Sequence, residues 1–137
     1  MTETSCSIGF LLAKAYQRAC AIYKEKFGSY DLTPQQFGLL RFLWEEDGIT
    51  QVELSNRSQI DRTTIGGLID RLEQSGYLQR LPHPVDRRAY RIELTAAGRQ
   101  LKEELTPLAE EMHRTILAPL SPDEIDTLTT LLQKLRY

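Results

Sequence analysis

Apolar residues recur at helical spacing towards both ends of this chain of 137 residues, and a different pattern fills its middle. A first amphipathic stretch covers about residues 6–28, and a second opens at Thr33, where Thr-Pro-Gln-Gln is a helix N-terminal signature. Residues 95–137 hold further helical stretches, with a bend or break expected at Pro107 because proline removes one helix hydrogen bond. The pattern predicts a mainly α-helical chain.

The segment that follows Thr50 predicts two short helices joined by a turn. Thr50 and Glu53 form a Thr-x-x-Glu capping box, in which each side chain is expected to bond the backbone amide of the other residue. Asp61 can cap the second helix in the same way. That helix carries apolar residues at i, i+3, i+4 and i+7, which are Ile65, Leu68, Ile69 and Leu72. One face of the second helix can therefore pack, while its polar face remains available for recognition.

A hairpin is predicted after the second helix. Ser75-Gly76 is expected to end that helix, and residues 77–81 and 89–94 alternate between apolar and polar side chains. The tip that joins them is basic and contains two prolines. Helix, turn, helix and hairpin in this order predict a winged helix-turn-helix core at about residues 33–94. The fold class is therefore mainly α with a small β wing, in which N- and C-terminal helices flank the core.

Charge is distributed unevenly along the chain. A net charge of −2 would argue against nucleic-acid binding if the charge were uniform. Residues 57–91 instead contain seven arginines against four acids, a local charge of +3, and all five lysines lie outside this segment. Because a guanidinium group matches phosphate and guanine better than an ammonium group does, the segment predicts a face that binds duplex DNA.

Other classes of function have little support in the sequence. No Ser-His-Asp, Walker or paired-carboxylate pattern is present, so neither an enzyme nor a cofactor is expected. Two cysteines and two histidines, Cys6, Cys20, His83 and His113, lack the spacing of metal ligands. No apolar run approaches the roughly 18 residues of a membrane span, and the start of the chain lacks a signal peptide's basic region. We therefore expect a cytoplasmic protein with no membrane partner.

The terminal helices, at about residues 6–28 and 95–137, are expected to mediate dimerisation. The apolar faces of these helices cannot all be buried against the small winged helix-turn-helix core. A second copy is the economical partner, because a two-fold dimer presents two recognition helices to major-groove faces about 34 Å apart. The chain contains no linker or repeat, so residues 1–137 are treated as a single domain.

Five motifs resemble the MarR family of transcriptional regulators, and the likeness covers nearly the whole chain. In order they are Leu32-Thr33-Pro34-Gln35-Gln36-Phe37, Thr50-Gln51-Val52-Glu53-Leu54-Ser55, Asp61-Arg62-Thr63-Thr64 leading into Leu72-Glu73-Gln74-Ser75-Gly76-Tyr77, Asp86-Arg87-Arg88, and Leu94-Thr95-Ala96-Ala97-Gly98-Arg99. The resemblance implies a homodimeric repressor that binds a pseudo-palindromic operator. It also implies release of the DNA by a phenolic or other small apolar effector.

The resemblance and the charge pattern together place the DNA contacts on the second helix, just before it, and in the wing. These candidates are Arg57, Arg62, Thr63, Thr64, Gly67, Arg71, Asp86, Arg87 and Arg88. Arg88 would reach the minor groove with Asp86 orienting it. Arg57, Arg71 and Arg80 are either phosphate contacts or plain solvated side chains. Gly66-Gly67 departs from the family pattern, either because the helix backbone approaches a neighbour closely or because a base contact is lost.

An effector pocket is expected where the terminal helices meet the winged helix-turn-helix core, at Tyr16, Phe37, Arg41 and Trp44. Aromatic residues at helical spacing are also typical of a plain core. One alternative is oxidation sensing through Cys6 or Cys20, ranked lower because the family's reactive position falls on Gly9. Another is an adaptor whose winged domain binds protein, against which the basic recognition face argues. The operator, the regulated genes, the effector and the sign of regulation do not follow from the sequence.

Overall fold

The computed structural model describes residues 3–136, which form six α-helices and one small sheet. The helices are α1 (Ile8–Phe27), α2 (Pro34–Glu45), α3 (Gln51–Ser58), α4 (Arg62–Gln74), α5 (Ala96–Leu117) and α6 (Pro122–Leu135). The strands are β1 (Ile49–Thr50), β2 (Leu78–Pro82) and β3 (Tyr90–Leu94), and a short 3-10 turn at Thr4–Cys6 precedes α1. The prediction of a mainly α fold with a small β wing is confirmed.

The residues cluster into two compact units. One contains the described residues up to Asp31 together with those from Pro107 onward, and the other is Leu32–Thr106. The second unit, called the reader unit below, contains α2, α3, α4, the sheet and the first turns of α5. None of the described helices is both long and apolar enough to cross a membrane.

The sheet of the reader unit is antiparallel with β3 in the centre, in the order β1-β3-β2. Ile92 of β3 pairs with Ile49 on one side and with Arg80 on the other. Strand β1 was not predicted from the sequence, because two residues are too few to show an alternating pattern. The fully buried side chains of this unit come from every helix and from the sheet, and they include Leu39, Leu40, Leu43, Leu54, Ile65, Ile69, Leu72, Leu78, Ile92 and Leu105.

Polar caps fix where the helices begin. The Thr33 hydroxyl accepts from the amide of Gln36 at 3.1 Å, and the Gln36 side chain accepts from the amide of Thr33 at 2.8 Å. This capping box is confirmed, but the one predicted at Thr50 is half wrong. Its hydroxyl accepts from the Glu53 amide and donates to the Glu53 carboxylate. The backbone of Thr50 belongs to β1 and pairs with β3, so its amide does not receive the carboxylate.

The other unit consists of α1, α6 and the second half of α5. The guanidinium group of Arg18 donates to the carbonyl oxygens of Thr115 and Ile116 at 3.0 and 2.8 Å, which satisfies acceptors exposed at the end of α5. Tyr23 stacks on Phe27 with ring centroids 4.5 Å apart, and burial raises the pKa of Tyr23 to about 12.

A bend or a break was expected at Pro107; the break is wrong, because α5 runs unbroken through this residue, and the bend stays a prediction. This helix has 22 residues. A proline in its middle removes one hydrogen bond, and the remaining turns on either side keep the helix continuous.

Candidate nucleic-acid interface

The turn between α3 and α4 determines where α4 begins relative to α3. Gln59 takes the left-handed conformation at φ 58°, which ends α3. The buried hydroxyl of Ser55 donates to the carbonyl oxygen of Ile60 at 2.5 Å. Asp61 then caps α4, as the sequence predicted. Because the Ser55 and Asp61 side chains bond backbone groups on either side of Gln59, α4 begins at a defined point against α3.

The N-terminal end of α4 exposes Arg62, Thr63 and Thr64. One carboxylate oxygen of Asp61 accepts from the Thr64 amide at 2.9 Å, and the other accepts from the Thr64 hydroxyl at 2.8 Å. These hydrogen bonds lower the pKa of Asp61 below its ordinary value. The hydroxyl hydrogen of Thr64 is thereby occupied, so Thr64 can offer a ligand its methyl group and its oxygen lone pairs.

The tip of the wing is organised by two side chains. The Nδ1 atom of His83 accepts from the amides of Val85 and Asp86, at 3.1 and 2.9 Å. The Oδ1 atom of Asp86 accepts from the Arg88 amide at 3.0 Å and lies 3.3 Å from Arg88 Nε. The side chain of Arg88 is 92% exposed. Asp86 therefore contacts Arg88 at its amide and its Nε atom, and the orientation of Arg88 towards DNA stays a prediction. The part played by His83 was missed, because no spacing rule marks a histidine that accepts from nearby amides.

A groove of about 600 Å³ separates the start of the two reader helices from the wing. Its lining comes from β1, α3, α4 and the wing, and consists of Thr50, Gln51, Val52, Arg62, Asp86, Arg88, Ala89 and Tyr90. Arg62 and Arg88 thus bring two guanidinium groups to one concave surface. Because a single acid of the lining, Asp86, accompanies them, this surface suits an anionic ligand.

The arginines of the basic segment divide into paired and unpaired groups. Arg57 forms an exposed ion pair with Glu46, which is weak in solvent. Among the residues that the structure describes, Arg62, Arg71 and Arg87 form no ion pair. These three guanidinium groups are therefore available to phosphates.

Arg80 does not have the unpaired, solvated side chain that the sequence analysis allowed. Its side chain is 21% exposed and forms ion pairs with Asp70 at 2.6 Å and Glu73 at 3.1 Å, both on α4. The reason is tertiary, since β2 returns along α4 after the turn at Gly76 and brings Arg80 beside these acids.

The two glycines of α4 are not explained by packing inside the protein. A Cβ atom added at Gly67 would meet nothing within 4 Å. At Gly66 it would meet the Gln51 side chain at 3.6 Å, which is an ordinary contact. Close approach of the α4 backbone to another described part of the chain is therefore not the reason for either glycine. Close approach to DNA and a lost base contact stay open.

The residues of the expected effector pocket fall in both units. Within the reader unit, Phe37 and Trp44 are in edge contact at 6.0 Å, and Arg41 lies over the Phe37 ring at 5.8 Å. The indole N–H of Trp44 donates to the Gly98 carbonyl at 2.9 Å, so only its ring can serve a ligand. In the other unit, a hydrogen bond with Cys20 raises the pKa of Tyr16. A pocket at these positions stays a prediction.

The cysteines lie in different surroundings. Cys6 is exposed before α1, and Cys20 is half-buried on α1. Over the described part of the chain, no three His, Cys, Asp or Glu side chains converge as metal ligands would.

Two helices joined by a turn and followed by a hairpin define a winged helix-turn-helix protein, here with unpaired arginines on the second helix and the wing. Residues 32–90 match the family model described as the MarR family. The transcriptional repressor NicR of Pseudomonas putida is 34% identical over 93% of this chain and 81% of its own length. The chain belongs to the MarR family.

Solved structures agree with this assignment along the whole chain. BpsR of Bordetella bronchiseptica, whose DNA binding is regulated by 6-hydroxynicotinic acid, matches with a TM-score of 0.91 and 33% identity, over 98% of this chain and 96% of that one. A variant of Escherichia coli MarR in complex with operator DNA matches with a TM-score of 0.89 and 28% identity over 100% of both chains. The relatives named here are transcriptional regulators, a class of protein that is not enzymatic.

Proposed function

We propose that this protein is a homodimeric transcriptional repressor that binds a pseudo-palindromic operator in duplex DNA and leaves it when a small aromatic effector binds. One observation carries the proposal: Arg62 and Arg88 line the same groove between the recognition helix and the wing. Arg71 on α4 and Arg87 in the wing are exposed and form no ion pair among residues 3–136, so they add accessible positive charge to the same two elements. A surface of this kind binds the phosphate backbone.

In the proposed complex α4 lies in the major groove. Arg62, Thr63 and Thr64 are exposed at its first turn, where recognition helices of this motif contact base edges. Thr64 accepts a hydrogen bond from a base amino group or packs its methyl group on thymine, because its own hydrogen is held by Asp61. The E. coli relative was solved in complex with operator DNA, which supports duplex DNA as the ligand.

The wing completes the DNA contacts. The 92% exposed side chain of Arg88 enters the minor groove, and Asp86 holds its backbone and its Nε atom. Arg87 and Arg57 bind phosphates on either side, and Arg57 exchanges Glu46 for phosphate at little cost because the pair is exposed.

The second copy covers apolar side chains that the single chain exposes. On α1, Ile8, Leu11 and Leu12 are exposed, and Ile8 is 66% exposed. On α6 the exposed positions are Leu128, Leu131, Leu132 and Leu135. Contiguous apolar surface of this kind marks an interface, and the terminal helices are where the sequence predicted one.

The effector is proposed to be a hydroxylated aromatic acid. The support is BpsR, since 6-hydroxynicotinic acid regulates the DNA binding of that relative. In this chain Arg41 offers a guanidinium group beside the aromatic rings of Phe37 and Trp44, which suits an aromatic carboxylate. Oxidation of Cys6 or Cys20 is the competing trigger.

Fluorescence anisotropy with a duplex selected from a random pool tests the DNA contacts. Arg62→Ala and Arg88→Ala should each weaken binding by about 1–3 kcal/mol, roughly fivefold to 150-fold. Arg114→Ala is the matched control, since Arg114 is an exposed arginine near the end of α5 and lies outside the proposed surface. Equal affinity of all four proteins would refute the assignment of the DNA surface.

Two further measurements test the remaining parts of the proposal. Sedimentation should give a dimer for the wild-type protein and a shift towards monomer for Leu131→Glu, whose charge would be buried in the interface. Addition of 6-hydroxynicotinic acid, or of peroxide in a separate sample, should distinguish release by a ligand from release by oxidation. Release by peroxide alone, lost in Cys6→Ser or Cys20→Ser, would overturn the ligand proposal.

A further inference from the structure

The recognition helix carries acids as well as arginines. Within α4, Arg62 and Arg71 are balanced by Asp70 and Glu73, so the helix that should face DNA has no net side-chain charge. Both acids are solvent-accessible, with 59% and 41% of their side chains exposed. Carboxylates on this helix would repel the phosphates that its arginines attract.

Arg80 covers both acids from the first strand of the wing. Its Nη2 atom lies 2.6 Å from Asp70 Oδ1, and its Nη1 atom lies 3.1 Å from Glu73 Oε1. The same side chain donates to the carbonyl oxygen of Gly66 at 3.3 Å, and the Arg80 amide donates to Glu73 Oε2 at 3.1 Å. Four polar contacts therefore hold one arginine against the recognition helix and leave it little capacity for an outside ligand.

We propose that Arg80 is a positioning residue for DNA binding, which acts by offsetting part of the negative charge of Asp70 and Glu73 and does not itself contact DNA. The inference rests on the proposed function, because masking of these acids matters only if α4 meets phosphates. The position of Arg80 in a basic segment suggests that it binds phosphate, whereas the proposal is that it pairs with acids of the protein. Loss of Arg80 changes the net charge of its cluster with Asp70 and Glu73 from −1 to −2, whereas loss of an arginine that binds phosphate removes a direct contact.

The decisive experiment compares the affinity of four proteins for one selected duplex: wild type, Arg80→Gln, Asp70→Asn with Glu73→Gln, and the triple variant. Arg80→Gln should bind about tenfold more weakly, as expected for one or two unit charges exposed near phosphates in a partly solvated setting. The triple variant should bind at least as tightly as wild type, because the acids that Arg80 masks are gone. A triple variant that stays as weak as Arg80→Gln would overturn the proposal.

Salt dependence separates masking from direct contact. If Arg80 bound a phosphate, the triple variant would show a slope of log affinity against log salt reduced by about 1 relative to wild type. The proposal predicts that no phosphate contact is lost, so the triple variant keeps a slope at least as steep as that of wild type.

Arg71→Gln is the matched control on the same helix. Arg71 follows Asp70 and forms no ion pair with any described residue, so Arg80 still covers the acids in this variant. Adding Asp70→Asn and Glu73→Gln to Arg71→Gln should leave the slope of log affinity against log salt about 1 below that of wild type, because the lost phosphate contact is not returned, whereas the triple variant with Arg80→Gln keeps the wild-type slope. Equal slopes in the two triple variants would contradict the specific role of Arg80.

Thermal unfolding of each variant tests whether it is folded, and Arg80→Lys keeps the proposal falsifiable if Arg80→Gln is not. Lysine retains the positive charge beside the acids, so its affinity should stay within about threefold of wild type. A folded Arg80→Lys variant that loses tenfold would overturn charge masking. If wild type itself binds no duplex, the proposed function fails together with this inference; if it binds and the triple variant stays weak, only the inference fails.

Discussion

Replacement of Gly98 by alanine should destabilise the protein, although the same change in most helices is stabilising. Gly98 is the third residue of α5 and lies against the backbone at the end of α4. A Cβ atom added there would lie 1.9 Å from the carbonyl oxygen of Tyr77 and 3.2 Å from Leu94 Cδ2. Since the first of these atoms belongs to the backbone, it cannot move aside as the end of a flexible side chain would.

The neighbourhood of Gly98 would have to move as a whole. Its carbonyl oxygen accepts from the Trp44 indole at 2.9 Å. Its amide donates to the Thr95 hydroxyl, which in turn donates to the carbonyl oxygen of Gly76 at 2.6 Å. These hydrogen bonds join α5 to α2 and to the turn after α4, so a shift of α5 strains all of them.

The magnitude follows from three opposing terms. Overpacking costs about 1–3 kcal/mol, and loss of the Trp44 hydrogen bond costs about 1 kcal/mol. Alanine returns about 1 kcal/mol of helix propensity. The free energy of unfolding should therefore fall by about 1–3 kcal/mol, which lowers the Tm by about 4–12 °C at roughly 4 °C per kcal/mol for a chain of this size.

Gly38→Ala is the control, measured by circular dichroism at the same protein concentration. Gly38 lies inside α2, and a Cβ atom added there would meet nothing within 4 Å. This variant should gain about 0.5–1 kcal/mol and unfold a few degrees above wild type. If Gly98→Ala also unfolds at or above the wild-type temperature, the reasoning from close backbone approach is refuted.

Three further predictions concern the DNA surface. Gly67→Ala should raise the free energy of unfolding by up to about 1 kcal/mol. Weaker DNA binding by this variant would show that DNA approaches the backbone of α4 at Gly67. Unchanged binding would favour the explanation that a base contact is lost at this position. Hydrogen bonds lower the pKa of Asp61, so the ionised carboxylate stabilises the fold above the ordinary carboxylate range of about pH 4, and this stabilisation is lost below that range. The Tm difference between wild type and Asp61→Asn should therefore shrink as the pH falls through that range. A Tm difference that stays constant would argue against a stabilising role of the Asp61 carboxylate. His83→Ala should weaken DNA binding by about 1 kcal/mol, roughly fivefold, because the wing must then be ordered on binding, and an unaltered affinity would show that the wing keeps its shape without Nδ1.

Features that depend on near neighbours in the sequence could be predicted from it. The caps at Thr33 and Asp61 and the glycine turn at Gly76 were recognisable because each capping group bonds within a few residues of itself. The order of helices and wing followed from these stops and from the period of the apolar residues. The exposed first turn of α4 and the Asp86–Arg88 contact followed in turn.

Features that depend on long-range pairing could not be predicted. Strand β1 exists because Ile49 and Thr50 meet β3, more than forty residues later, and this pairing also changes the capping bonds of Thr50. The ion pairs of Arg80 arise only when β2 folds back along α4. A count of arginines treats such a residue as one more positive charge, whereas its environment decides whether it meets phosphate or protein.

Whether this protein binds duplex DNA through its arginines is tested most directly by the affinity of the wild-type protein for its selected duplex between 50 and 200 mM salt. A dimer that neutralises about six to ten phosphates should lose roughly 10³- to 10⁵-fold in affinity over this range. We expect this decline in affinity, together with half-sites spaced one helical turn apart in the selected sequences. A protein that binds no duplex at 50 mM salt, or binds with an affinity independent of salt, would contradict it.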